Sequence, residues 1–271
     1  MTHHGAGTAL GLDLVLTVPF LLAGVLYVGG VWIQARRGRS WPWYRTVAWL
    51  SGTAAALAGF VGPLAALAHE EFVAHAWTHL LIGMVAPLLL VTAAPVTLAL
   101  RSLQLTPARR LTRLLSSRLL RIATVPTVAV LLNVVGLWLL YFAGLYEVMQ
   151  RNPVAHVVIS IHFLVAGCIL MVAIIPVDPS PHRASYPMRM VALVLFMAAH
   201  SILAKAIYAD PPSGVAASSA QAAAQLMYYA GDLVDAAVVV LLCARWYRDA
   251  GRRLTRPIPT ALSIHRRFRS D

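Results

Sequence analysis

The chain has 271 residues, of which 59% are apolar and only 12% charged, and its mean hydropathy is +0.73. A water-soluble globule of this size needs more polar surface than that, so a soluble fold is excluded and an all-α, polytopic membrane protein is expected. The net charge of +12 would suggest nucleic acid in a soluble protein; in a membrane protein it reports topology, and no nucleic-acid partner is expected.

Crossing roughly 30 Å of hydrocarbon at about 1.5 Å per residue takes about 20 apolar residues. Stretches of that kind run near Leu10–Gln34, Tyr44–Ala68, Phe72–Leu100, Leu119–Tyr146, Val154–Val177, Pro187–Ala209 and Ser219–Cys243, which predicts seven transmembrane helices. No cationic region precedes the first stretch, so that helix is expected to be retained rather than cleaved as a leader. Of the 22 Lys and Arg residues, 20 follow the first, third, fifth and seventh stretches, and only Arg151 and Lys205 fall on the other side. By the positive-inside rule the N-terminus is then outside and the C-terminus inside. A single transmembrane domain is expected over 1–246, with a basic cytoplasmic tail over 247–271.

The cationic segments invite anionic lipid as a partner. Between Arg101 and Arg121, Leu105, Leu111, Leu114 and Leu115 are interleaved with Arg109, Arg110, Arg113 and Arg118, the pattern of a short helix lying on the inner leaflet. Cys168 and Cys243 are too far apart in depth to be bridged and form no CxxC pair, so both read as buried small hydrophobes.

Histidine collects on the opposite side. Of ten histidines, His69, His75, His79, His156, His162 and His200, and more loosely His4, fall on the outer side. Imidazoles gathered at one end of a bundle serve as metal ligands, proton carriers or haem ligands. His75 and His79 are four apart and share a helical face. Counting inward at about 1.5 Å per residue puts His79 roughly 10 Å, His162 roughly 13 Å and His200 roughly 14 Å below the outer boundary. Three imidazoles on three helices are thus expected in one layer, facing the bundle interior as intramembrane ionisable groups do. His156 lies about 120° around the helix from His162 and belongs at the entrance. Met197, three residues before His200, is a soft ligand suited to Cu(I) or a packing side chain. Glu70 and Glu71 read equally as helix-start charges or as metal ligands.

The seventh stretch carries Gln221, Gln225, Tyr228, Asp232 and Asp235 at steps of four, three, four and three, a polar stripe expected to face inward. Its carboxylates could orient imidazoles, carry protons, pair with Lys205 or simply bridge helices. Asn133 is similarly open. Pro87 and Pro95 each remove an intrahelical donor, so a kink is expected below His79.

These residues resemble those of the multi-span bacterial CtaG-like cytochrome c oxidase assembly factors. The resemblance rests on the run from His75-Ala-Trp-Thr-His79 through Pro87 to Pro95-Val-Thr-Leu, on Asn152-Pro153-Val-Ala-His156 through His162, and on Tyr229-Ala-Gly231-Asp232 with a closing Trp246. It implies a seven-helix plasma-membrane protein that helps mature a haem-copper oxidase, with an oxidase subunit as partner and copper as cargo. Carried over residue by residue, it implicates His75, His79, His156, His162 and Asp232; His200 and Met197 join them on depth and spacing alone. Three imidazoles with a carboxylate suit zinc as well as copper. An intramembrane zinc hydrolase therefore stays open, as does a haem-binding electron carrier, which would want a second histidine pair where the chain has only His182 and His265.

Overall fold

The computed structural model describes residues 3–179 and 183–254, with side chains placed over 13–252 of that range. His182, His265, the side chain of His4 and the tail beyond residue 254 lie outside the described residues. All regular structure among the described residues is helical: α1 His3–Arg36, α2 Trp43–Phe60, α3 Pro63–Leu67, α4 Phe72–Leu80, a π-helical turn Leu81–Val85, α5 Ala86–Thr92, α6 Pro95–Ser102, α7 Leu105–Leu115, α8 Arg118–Ala123, α9 Pro126–Phe142, α10 Leu145–Arg151, α11 Pro153–Ile174, α12 Tyr186–Ala209 and α13 Ala217–Leu254. Six spans are long and apolar enough to cross a membrane: Asp13–Arg36, Trp43–Leu67, Phe72–Thr92, Pro153–Ile174, Tyr186–Ala209 and Ala217–Arg252. The expected fourth helix is instead a bent pair, α9 and α10, which meet at 74°. Gly144, at φ 76°, supplies the left-handed residue on which the chain turns. Seven spans result only if that pair counts as one.

The expected third helix, Phe72–Leu100, is also broken. Pro87 lacks an N–H, and in a regular α-helix its ring would strike the carbonyl of Gly83. The chain widens into the π turn just before it, and α5 resumes with the proline in its first turn. At the second proline the helix ends at Thr92, Ala94 takes φ 55°, and α6 starts afresh at Pro95. A non-glycine residue held there costs about 1 kcal/mol or more. Asp178 compensates by accepting hydrogen bonds from Val96 N (3.2 Å), Thr97 N (2.7 Å) and Thr97 Oγ1 (2.6 Å) at the half-buried start of α6.

The arginine-rich end is a tied structure as well as a charged one. Arg37 donates to the carbonyls of Arg101 (2.7 Å) and Ser102 (3.2 Å), the last residues of α6, and Arg245 donates to the Pro176 carbonyl (2.8 Å) just past α11. Tyr186 at the start of α12 donates to Asp249 Oδ2 at 2.7 Å and stacks on Trp246, tying α12 to α13, which continues as helix to Leu254. α7 has no buried residue, and its Leu105 and Leu114 are exposed beside the arginines.

Two apolar clusters fill the bundle. Near the histidine end Phe72, Tyr141, Phe163, Leu203, Ile207 and Met227 pack together; toward the arginine end Leu170, Met171, Ile174, Leu193, Phe196 and Leu242 do so. The two layers are joined by the crossing of α11 with the π turn. A Cβ on Gly167 would run into the Gly83 carbonyl oxygen and lie 2.7 Å from Pro87 Cγ, so only glycine permits this approach. The cysteines depart from expectation: Cys168 is half-buried and Cys243 is exposed, because α13 turns that face away from the bundle.

Candidate functional site

The site is built on α4, whose short length follows from the extended residue Glu71 before it and the π turn after it. The Glu71 side chain makes no capping hydrogen bond. With Glu70 it lines a cavity at the histidine end of the bundle that also holds Glu147 and Arg151. The next helical face carries the two histidines inward. His75 is 2% exposed, stacks on Phe72 (ring centroids 5.8 Å apart) and meets the edges of Tyr146 (5.0 Å) and Tyr141 (6.1 Å). Neither of its ring nitrogens has a hydrogen-bond partner. His79, 7% exposed, lies edge-on to Phe163 at 5.2 Å and against Gly83, whose absent side chain leaves the ring its space.

His200 enters from α12, 2% exposed and stacked on Phe196 at 6.0 Å. Its ring lies against α13 at Gly231, where a Cβ would come within 2.7 Å of its Cε1. Its Nε2 is buried without a partner. His200 is within electrostatic reach of His79 on one side and of Asp232 on the other. Asp235, one turn further along α13, is 1% exposed with Oδ1 unpartnered. At the mouth, His156 and His69 form a tilted ring pair with centroids 4.4 Å apart, and His156 Nδ1 is buried without a partner.

The expected layer of His79, His162 and His200 does not form, because His162 is exposed on the outside of the bundle. α11 packs inward through Ser160, Phe163, Ala166, Gly167 and Leu170, which leaves Val158, Ile161, His162 and Val165 on its outer face. His162 lies there in a groove against α9, with Nε2 2.8 Å from where a Cβ of Gly136 would stand. Residue counting supplies depth along a helix and carries no azimuth about its axis. Met197 is half-buried in the apolar cluster of α11, α12 and α13, where it packs. Among the described residues, no three His, Cys, Asp or Glu side chains are grouped to hold one metal ion.

The polar stripe of α13 divides. Asp235 faces inward and Asp232 is half-buried, but Gln225 is exposed in a surface pocket with Lys205 and Tyr228. Lys205 sits over the Tyr228 ring at 5.4 Å. Asn133 has an ordinary structural role, donating to the carbonyls of Ala129 and Ala166 at 2.9 Å each and so fastening α9 to α11. Sequence reading did not foresee the aromatic wall around His75 or the pairing of His69 with His156. Tyr141 and Tyr146 reach His75 only because the chain folds back at Gly144.

A family model described as cytochrome c oxidase caa3 assembly factor matches residues 25–249. An uncharacterized protein of Mycobacterium bovis is 35% identical over 207 residues, and one of Mycobacterium leprae is 32% identical over 207 residues. In both cases the aligned part is 74% of this chain and 31% of the relative, so the chain spans about a third of the length of the curated relatives it matches. No solved structure matches. With the matched region running from α1 into α13, this multi-pass membrane protein belongs to the Caa3_CtaG family of cytochrome c oxidase caa3 assembly factors.

Proposed function

We propose that the chain serves the assembly of a caa3-type cytochrome c oxidase by holding copper in transit among the buried imidazoles of His75, His79 and His200, with His156 on the approach and Asp232 beside His200. The observation that carries this reading is the unmet bonding capacity of the His75 and His200 rings. Leaving a buried donor or acceptor unpaired costs about 1–3 kcal/mol, and His75 bears two such nitrogens while His200 bears one. A soft monovalent ion fits the donor set: two imidazoles in line suffice for Cu(I), and weak ligation suits an ion that must be given up again. A zinc hydrolase requires three protein ligands around one ion, a grouping not found among the described residues.

The 20-to-2 cationic asymmetry supports an orientation with the imidazoles toward the outer side and the arginines inside. In that orientation the exposed Leu105, Leu114, Leu119 and Ile122 of α7 and α8 dip into the inner leaflet, while their arginines meet anionic headgroups. The partner is an oxidase subunit whose copper centre is being filled. In a strain lacking the protein, copper-dependent oxidase activity should fall while copper-free terminal oxidases keep theirs. Wild-type and His162→Ala chains should restore it, and His79→Ala should not. Full restoration by His79→Ala would leave a scaffold that holds the oxidase subunit through helix contacts alone.

A further inference from the structure

Beside the buried imidazoles lies a cavity of about 460 Å³ between the outer ends of α1, α3 and α11, lined by Asp13, Phe60, Gly62, His69, Pro153 and His156 among others. It is open on one side. Its polar groups are one carboxylate and two imidazoles, and the imidazoles already touch as a tilted pair at 4.4 Å. His69 is exposed, whereas His156 is half-buried and keeps an unpartnered Nδ1. One ring of this pair therefore faces solvent and the other leads inward.

Beyond His156 the polar groups continue as a file. His75 and His79 are buried one turn apart on α4, His200 is buried on α12, and Asp235 is buried on α13 three residues past the half-buried Asp232; His75 and His200 keep unpartnered ring nitrogens. The walls are aromatic and aliphatic, from Phe72 and Tyr146 outside to Phe163 and Phe196 inside. An ion entering such a file exchanges one imidazole for the next and need not be released into hydrocarbon.

We infer that the cavity of Asp13, His69 and His156 is a cation-loading mouth, at which a soft monovalent metal ion is captured by the paired imidazoles beside a carboxylate and passed inward to His75. This deepens the cargo reading above and rests on it. Its two roles separate kinetically. Asp13 and His69 set how fast the ion arrives, because a negatively lined cleft concentrates cations and raises association rates. The buried rings set how much is held.

The test is uptake of Ag(I), a redox-silent stand-in for Cu(I), and of Cu(I) itself, by the purified full chain in lipid nanodiscs, following both rate and final stoichiometry. The double variant Asp13→Asn with His69→Gln should slow loading about tenfold, the lower end of what a charged cleft contributes, and should reach the wild-type stoichiometry. His75→Gln should lower the stoichiometry. Both mouth residues are exposed, and a matching thermal unfolding curve for the double variant checks that the bundle is intact. An unchanged loading rate in the double variant overturns the mouth and leaves the cargo reading standing. Wild-type protein that takes up neither ion overturns both.

Discussion

α1 and the α4–α5 span make an instructive pair. Both are apolar and long enough to cross the membrane, yet only 6% of the most apolar part of α1 is buried within the protein against 61% of the corresponding part of Phe72–Thr92. The more apolar of the two is the peripheral one. In a bilayer, lipid tails are as good a solvent for leucine as another helix is, so hydropathy does not drive a helix inward. What marks the central helix is what lipid tolerates poorly: histidines, a threonine, glycine and a proline-induced break. Buried polar groups and close backbone approach need neighbouring helices around them.

That contrast can be broken or sharpened by substitution, starting with the site. His75→Ala or His79→Ala should weaken Cu(I) binding about tenfold or more, at least the loss that perturbing a metal site's surrounding partners produces. His162→Ala, equally deep in sequence but on the outer face, should change binding little; equilibrium competition with a colorimetric Cu(I) chelator measures both. Equal losses from His79→Ala and His162→Ala would show that the two rings do converge and that α11 is rotated from the position described.

The next largest effect is on packing. Gly167→Val forces a side chain into the crossing with Gly83 and Pro87, and overpacking of this kind typically costs 1–3 kcal/mol, read as a lower unfolding midpoint in detergent. Gly231→Ala is smaller in volume but meets the His200 ring at 2.7 Å. It should displace that imidazole and reduce Cu(I) affinity while costing about 1 kcal/mol of stability. A wild-type Cu(I) affinity for Gly231→Ala would remove His200 from the ion's path.

Asn133→Ala deletes one intrahelical and one interhelical hydrogen bond, the latter for about 0.6 kcal/mol, the mean found for such contacts within membranes. The smallest effect belongs to α1. Val25→Ala, on a side chain 68% exposed, should fall within about 0.5 kcal/mol of wild type. A large loss of stability there would mean that something covers this face in the assembled protein.

Much of the candidate site was legible before folding was considered. Helical spacing put His75 and His79 on one face, the 120° offset separated His156 from His162, and the prolines announced a kink where the third helix in fact breaks. Three things misled. Residue counting gave depth but not azimuth, which placed His162 in the wrong environment. The stripe on α13 has helical spacing, yet Gln225 is exposed while Asp235 is buried, because spacing alone does not say how far neighbouring helices cover a face. The arginine end was read as topology and lipid contact, although Arg37 and Arg245 also close helix ends and Asp178 holds the start of α6.

The sequence by itself determined that this is an all-helical membrane protein, with histidine at one end, arginine at the other and a proline-broken helix carrying the central pair. Those are properties of composition and local geometry: an apolar run must satisfy its own backbone hydrogen bonds, and a proline cannot complete them. Only the tertiary structure decided which imidazoles face one another, that Gly83, Gly167 and Gly231 let rings and helices come close, and that His69 joins His156 at a cavity beside Asp13. Rotation of a helix about its own axis costs nothing until neighbours pack against it, so those choices reside in contacts between distant segments and in no one segment alone.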